Sequence, residues 1–203
     1  MATLRYSTII SPTFTDGPGK RASVYFQGCA IRCPGCQSPH LWDASGGMEV
    51  HVTQVARTLI ATGLPISILG GEPFDQPAAL AQLVMVLKGA GRHVIIYSGY
   101  TYEQLIERDD ADGNNRMVLA LADVLVDGPF IWQQDDPFVQ YRGSRNQRPI
   151  DLVATRRAGE LVLLDWDTPE LIISDAGDVL GAEGVIALVS DEGERTRRCG
   201  QTK

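Results

Sequence analysis

Short apolar runs that end in glycine punctuate the first 130 residues of this chain, and they leave few architectures open to it. "ASVYFQG" (22–28), "PISILGG" (65–71), "HVIIYSG" (93–99) and "DVLVDG" (123–128) each have the length and residue types of a buried strand closed by a turn. Between the first two, Val52, Val55, Leu59 and Ile60 recur at helical spacing ahead of Gly63, which predicts a helix over 52–62. Asp75 is placed to cap a second helix, with Pro77 in its first turn and Leu80, Leu83, Val84 and Leu87 as its inner stripe. Tyr102 to Glu107 and Met117 to Leu121 also read as helical. Strands alternating with helices at this spacing predict an α/β fold with a parallel sheet, open or partly rolled into a barrel. Sites in such folds gather at the carboxyl ends of the strands. There the chain places, in order, "GCAIRCPGC", "GGEPF", "SGY" and "DGPF".

With 203 residues, 44% of them hydrophobic, the chain can bury about 70% of its unfolded surface in one main domain. From Ile150 the texture changes. "ELVLLDWDTPELIISDAGDVLGAEGVIALV" offers β-like runs split by Asp, Gly and Pro, so residues 1–150 are expected to form the core and 151–203 a small β-rich extension with a mobile polar tail. A net charge of −7, from 18 basic and 25 acidic residues, lacks the footprint of a general nucleic-acid binder. No apolar run reaches the ~20 residues of a membrane span, and the N-terminus shows no apolar signal region. A cytoplasmic protein without nucleic-acid or membrane partners is expected. In that setting its four cysteines favour ligands or catalytic groups over bridges.

Three of them, Cys29, Cys33 and Cys36, fall within ten residues at the spacing C-x3-C-x2-C. One reading is zinc, with His40 closing a Cys3His tetrahedron. A second is an iron–sulfur cube that recruits Cys199 from the tail as its fourth ligand. In a third, three thiolates anchor three irons of a [4Fe–4S] cube and leave the fourth iron open to a substrate, since such clusters normally take four thiolates.

C-x3-C-x2-C after a first strand, followed by Gly-Gly-Glu-Pro after the second, resembles the radical S-adenosylmethionine (SAM) superfamily. "DGPGKRASVYFQGCAIRCPGCQSPHLWD" is similar to the activating enzymes of glycyl radical enzymes. "CPGC", "DVLVDG" and "YRGSRNQR" most resemble the activase of anaerobic class III ribonucleotide reductase. The resemblance spans roughly residues 5–150 and keeps the motifs in order. It implies a partial, open β/α barrel carrying a [4Fe–4S] cluster on Cys29, Cys33 and Cys36. The open iron would chelate the amino and carboxylate groups of SAM, and one electron would cleave SAM to methionine and a 5′-deoxyadenosyl radical, with the protein orienting the cofactor. That radical would abstract hydrogen from a glycine of the partner enzyme.

The resemblance also implies cofactor contacts. Gly70 and Gly71 would let backbone approach SAM, and Glu72 would accept from its ammonium. Gly35, Cys36 and Gln37 would lie near the adenine, although relatives often carry an aromatic side chain where this chain has Gln37. Ser98 and Gly99 match ribose contacts, with Ser98 as a simple helix cap the bland alternative. Asp127 matches an acidic strand-end position, or is an ordinary turn aspartate. His51 and His93 read as structural residues and Trp42 as a shield of the cysteine loop. Arg142, Arg145 and Arg148 form a positive patch suited to a partner's carboxylates or to solvent.

The leading expectation is thus a glycyl-radical activase acting on an anaerobic ribonucleotide reductase, with flavodoxin or ferredoxin as electron donor. A small radical SAM enzyme acting on a peptide or a pterin-like molecule, as in 7-deazaguanine chemistry, is the alternative, and a non-catalytic zinc module is the third reading. Anaerobic reconstitution separates them. A brown protein with roughly four irons is expected, with SAM cleavage abolished by Cys29→Ala, Cys33→Ala or Cys36→Ala and retained by Cys199→Ala. Loss of iron in Cys199→Ala would favour the four-cysteine cube.

Overall fold

The computed structural model describes residues 2–167, together with the backbone of Leu171–Ile173 and Val179–Gly181. Two compact units divide the chain, residues 1–165 and residues 166–203. Cys199 and most of the extension lie outside the described residues.

In the first unit the chain runs β1 (Thr3–Thr13), β2 (Arg21–Phe26), β3 (Met48–His51), α1 (Val52–Ala61), β4 (Ile66–Gly70), α2 (Pro77–Gly89) and β5 (Val94–Tyr97). It continues through α3 (Tyr102–Glu107), α4 (Asn114–Leu121), β6 (Val124–Asp127), β7 (Arg148–Asp151) and α5 (Leu152–Ala158). These build a mixed α/β structure around a seven-stranded sheet ordered β3-β1-β2-β4-β5-β6-β7. The four runs read as strands are β2, β4, β5 and β6, and they pair in parallel as consecutive neighbours. Antiparallel strands flank them, β1 with β3 on one side and β7 on the other. In the second unit, β8 (Leu171–Ile173) pairs antiparallel with β9 (Val179–Gly181).

Alternation along the parallel strands separates two faces, because successive side chains point to opposite sides of a sheet. Ala22, Val24 and Phe26 of β2, Ile66 and Ile68 of β4, and Val94 and Ile96 of β5 join one buried apolar core with the helices. Val52, Val55 and Leu59 of α1 and Leu80, Leu83, Val84 and Leu87 of α2 enter the same core. The intervening residues make a polar second face. There the buried Arg21 donates Nε–H to Ser67 Oγ at 2.7 Å, and Ser67 Oγ donates to the Asp16 carbonyl at 2.6 Å. Tyr25 Oη donates to Asp16 Oδ2 at 2.8 Å. Buried polar groups need such partners, and here they tie the turn before β2 to the middle of the sheet.

Three local readings change. Helix α2 starts at Pro77 as expected, but its N-cap is Gln76, without a side-chain cap bond, and Asp75 sits one residue earlier in a short 3-10 turn. Its carboxylate is engaged elsewhere. Helix α4 begins at Asn114, three residues before the apolar positions that announced it. Thr101, not Ser98, caps α3, accepting from the Gln104 N–H. No helix among the described residues is long and apolar enough to cross a membrane.

Leu83 is wholly buried in the core. Leu83→Ala is expected to lower the unfolding free energy by about 2–5 kcal/mol in urea titrations, as cavity-forming core substitutions do.

Candidate cluster and cofactor site

Strand β2 delivers the chain to Gln27 and Gly28, and the next strand end is stapled directly onto it. Gly71 N–H donates to the Phe26 carbonyl and Glu72 N–H to the Gly28 carbonyl, both at 2.8 Å. A Cβ at position 71 would stand 2.2 Å from the Gly28 oxygen, so only glycine permits this approach. Behind the loop, Gly28 and Cys29 donate to the carbonyls of Leu41 and Trp42. The cysteine segment leaves β2 held on both sides.

Within the segment, Cys36 N–H closes a turn on the Cys33 carbonyl at 3.1 Å. Gly35 has φ +76°, and a side chain there would collide with the ring of Trp132 at 2.8 Å. All three thiols are free and half-buried. Burial pushes the Cys29 thiol up, against the pull of the Arg32 and Ile31 N–H groups. It pushes Cys33 up against the Phe130 N–H. A bound metal deprotonates such thiols outright, and backbone N–H groups aimed at sulfur stabilise the thiolate charge that results.

The three thiols line one open cavity of about 500 Å3, within the usual size of small-molecule sites. Gln37 joins them from the loop, Gly70, Gly71 and Glu72 from the end of β4, and Ser98 and Gly99 from the end of β5. Glu72 knits these ends together. Its Oε1 accepts from Phe74 N–H at 2.9 Å and Ser98 Oγ at 3.0 Å, and its Oε2 from Gly99 N–H at 2.8 Å. Burial pushes its carboxyl up to about 7, against the opposing pull of these donors.

Gly35 does not line the cavity; it backs the cysteine turn beneath Trp132. Asp127 also lies away from the lining, wholly buried, accepting from Arg148 Nε at 2.9 Å and from Tyr102 N–H at 2.7 Å. Strand pairing sets Arg148 opposite Asp127, so this carboxylate joins β7 and α3 to the end of β6. Of the other two arginines in "YRGSRNQR", Arg145 pairs with Asp136 and Arg142 lines the cavity.

Several lining residues were not anticipated. Phe130 follows β6 in the "DGPF" motif, and its ring is seated over Gly143 while its N–H serves Cys33. Tyr97 points to the polar face, as strand alternation could have shown, and its hydroxyl is buried without a hydrogen-bond partner among the described residues. Thr15 and Asp16 come from the turn before β2.

Thiolates are the donors that iron–sulfur clusters take, and three free thiols of one loop line this one cavity. Among the described residues no three of His, Cys, Asp or Glu converge as ligands of one metal, and His40, the fourth zinc ligand considered, is exposed. Residues 15–150 match the model of the 4Fe-4S single cluster domain. The chain belongs to this family, among the activating enzymes of glycyl radical enzymes. This family member is 33% identical over 142 residues to the anaerobic ribonucleoside-triphosphate reductase-activating protein of Vibrio cholerae, covering 65% of this chain and 88% of that one. The Escherichia coli K12 protein of the same name is 27% identical over 154 residues, 71% of this chain and 96% of the relative. The pyruvate formate-lyase-activating enzyme of Clostridium pasteurianum is 32% identical over 117 residues, covering 52% of this chain and 49% of that one.

Glu72 gives a pH signature. Its folded pKa of about 7 exceeds the ordinary 4.5, so between these values the unfolded chain releases its proton first. Stability from this group therefore falls as pH rises through that window, by about 3 kcal/mol in all. In cofactor-free protein, the unfolding free energy of wild type minus that of Glu72→Gln is expected to drop by about this amount between pH 4.5 and 8. Burial holds His93 below its ordinary value, an effect of opposite sign that cancels in the difference. A pH-independent difference in urea titrations would refute the assignment.

Proposed function

We propose that this activase carries a [4Fe–4S] cluster on Cys29, Cys33 and Cys36, binds SAM beside it, and generates a glycyl radical on a partner enzyme, an anaerobic ribonucleotide reductase. One observation carries the reading: three half-buried thiols share an open cavity with the glycine-bearing ends of two further parallel strands. The reduced cluster would supply the electron that splits SAM to methionine and a 5′-deoxyadenosyl radical, which takes hydrogen from the glycine.

The chain's own residues orient and enclose. Gly70 and Gly71 offer backbone that SAM can approach, and the Glu72 carboxylate accepts from its ammonium. Ser98 and Gly99 are assigned to the ribose, and Cys36 and Gln37 to the adenine side, with Gly35 shaping their turn. Asp127 is assigned a supporting role at the strand end, through Arg148 and Tyr102. The ring of Phe130 walls the cavity where the loop supplies no aromatic side chain. The sheet is read as an open partial barrel of the radical SAM type, since a curved row of parallel strands would gather these groups at one rim. The open cavity leaves room for the partner's glycine segment above SAM, and flavodoxin or ferredoxin is proposed as the electron donor.

The test is anaerobic incubation of reconstituted protein with SAM, dithionite and the reductase, followed by electron paramagnetic resonance. A glycyl doublet that requires all three components is expected. Deoxyadenosine formation with the reductase present but no doublet would overturn the assigned partner and favour a smaller substrate.

A further inference from the structure

Asp75 holds two bonds that helix capping does not explain. Its Oδ2 accepts from the Ala30 N–H at 2.7 Å and its Oδ1 from Tyr100 Oη at 3.0 Å. Ala30 directly follows Cys29, and Tyr100 directly follows the Ser98–Gly99 pair at the end of β5. The Arg108 guanidinium lies 4.1 Å from the centroid of the Tyr100 ring, which steadies the strut. One carboxylate thus ties the cysteine loop to two other strand ends. Both oxygens act as acceptors, the role of an ionised carboxylate.

We propose that Asp75 sets the reduction potential of the cluster: its negative charge, fixed beside Cys29 by Ala30 and Tyr100, makes the cluster harder to reduce and so a stronger reductant. The inference rests on the cluster assignment above. Cluster potentials respond to nearby charge, hydrogen bonds and solvent exposure. Asp75 is half-buried, so solvent screens its charge less than that of a fully exposed side chain. Asp75 lines a second recess that shares Cys29 and Trp42 with the SAM cavity, and it is not itself part of the SAM cavity's lining, so its charge reaches the cluster without occupying the substrate side. The cations of this region are differently disposed. Arg108 lies over the Tyr100 ring, Arg5 is paired with Glu49, Arg32 is exposed to solvent, and Arg142 belongs to the SAM cavity. Glu72 also faces Cys29, but it belongs to the binding machinery, which leaves Asp75 as the separable charge.

Asp75→Asn isolates the charge from the brace. With its oxygen toward Ala30, the amide donates to Tyr100 Oη, which can accept, so both contacts survive. The experiment is an anaerobic redox titration of the reconstituted protein without SAM, monitored by paramagnetic resonance, with iron and sulfide assayed alongside. The midpoint is expected to move to more positive potential in Asp75→Asn at unchanged iron content, and to stay near wild type in Tyr100→Phe, which keeps the charge and removes one strut. An unshifted midpoint in loaded Asp75→Asn overturns the proposal. Should that variant load poorly, Asp75→Glu carries the test: a wild-type midpoint supports the charge assignment and a positive shift overturns it. Wild-type protein that takes up no iron and sulfide would instead sink the cluster assignment itself.

Discussion

The contact between two glycine backbones, at Gly28 and Gly71, is the constraint on which the rest of the site depends. It extends the β2–β4 pairing past the last ladder residues and brings the second strand end against the root of the cysteine loop. Without it, neither carboxylate that follows, Glu72 or Asp75, would reach its partners. The two then divide the work. Glu72 faces inward and ties β4 to β5 through Ser98 and Gly99, while Asp75 lines the second recess and accepts from both Ala30 and Tyr100.

This arrangement follows from a sheet whose two faces do different jobs. The apolar face packs the helices and supplies the hydrophobic driving force of folding. The polar face, wired through Arg21, Ser67, Tyr25 and Asp16, runs beneath the cavity and cannot be exchanged for an apolar one without stranding its partners. The price of a concave, partly polar site is met by burial on the other side of the same strands.

How much of this could be read in advance depended on the range of the signal. Parallel strands buried on both sides and their helices announce themselves through local periodicity, so β2, β4, β5, β6, α1, α2 and α3 were all legible. Strands β1, β3 and β7 were not. β1 is rich in Thr and Ser and carries Pro12, β3 is a four-residue edge, and β7 includes Pro149, so none shows a clean alternation. Asp75 looked like a helix cap because capping is the commonest local use of an aspartate before Pro77. Its actual donors, Ala30 and Tyr100, come from segments far away in sequence.

The cysteine spacing narrowed the chemistry to a metal or cluster site, and together with the glycines at the strand ends it carried the resemblance to the activases. Three thiols within one short loop restrict the ligand geometry whatever the rest of the chain does, and a glycine marks a close approach that no side chain allows. The tertiary structure decided which groups meet them. It placed Phe130 at Cys33, sent Asp127 to Arg148 rather than into the cavity, and turned Asp75 onto the Ala30 N–H. Those pairings join residues far apart in the chain, and their hydrogen bonds exist only once the strands have found their register, so no local pattern encodes them.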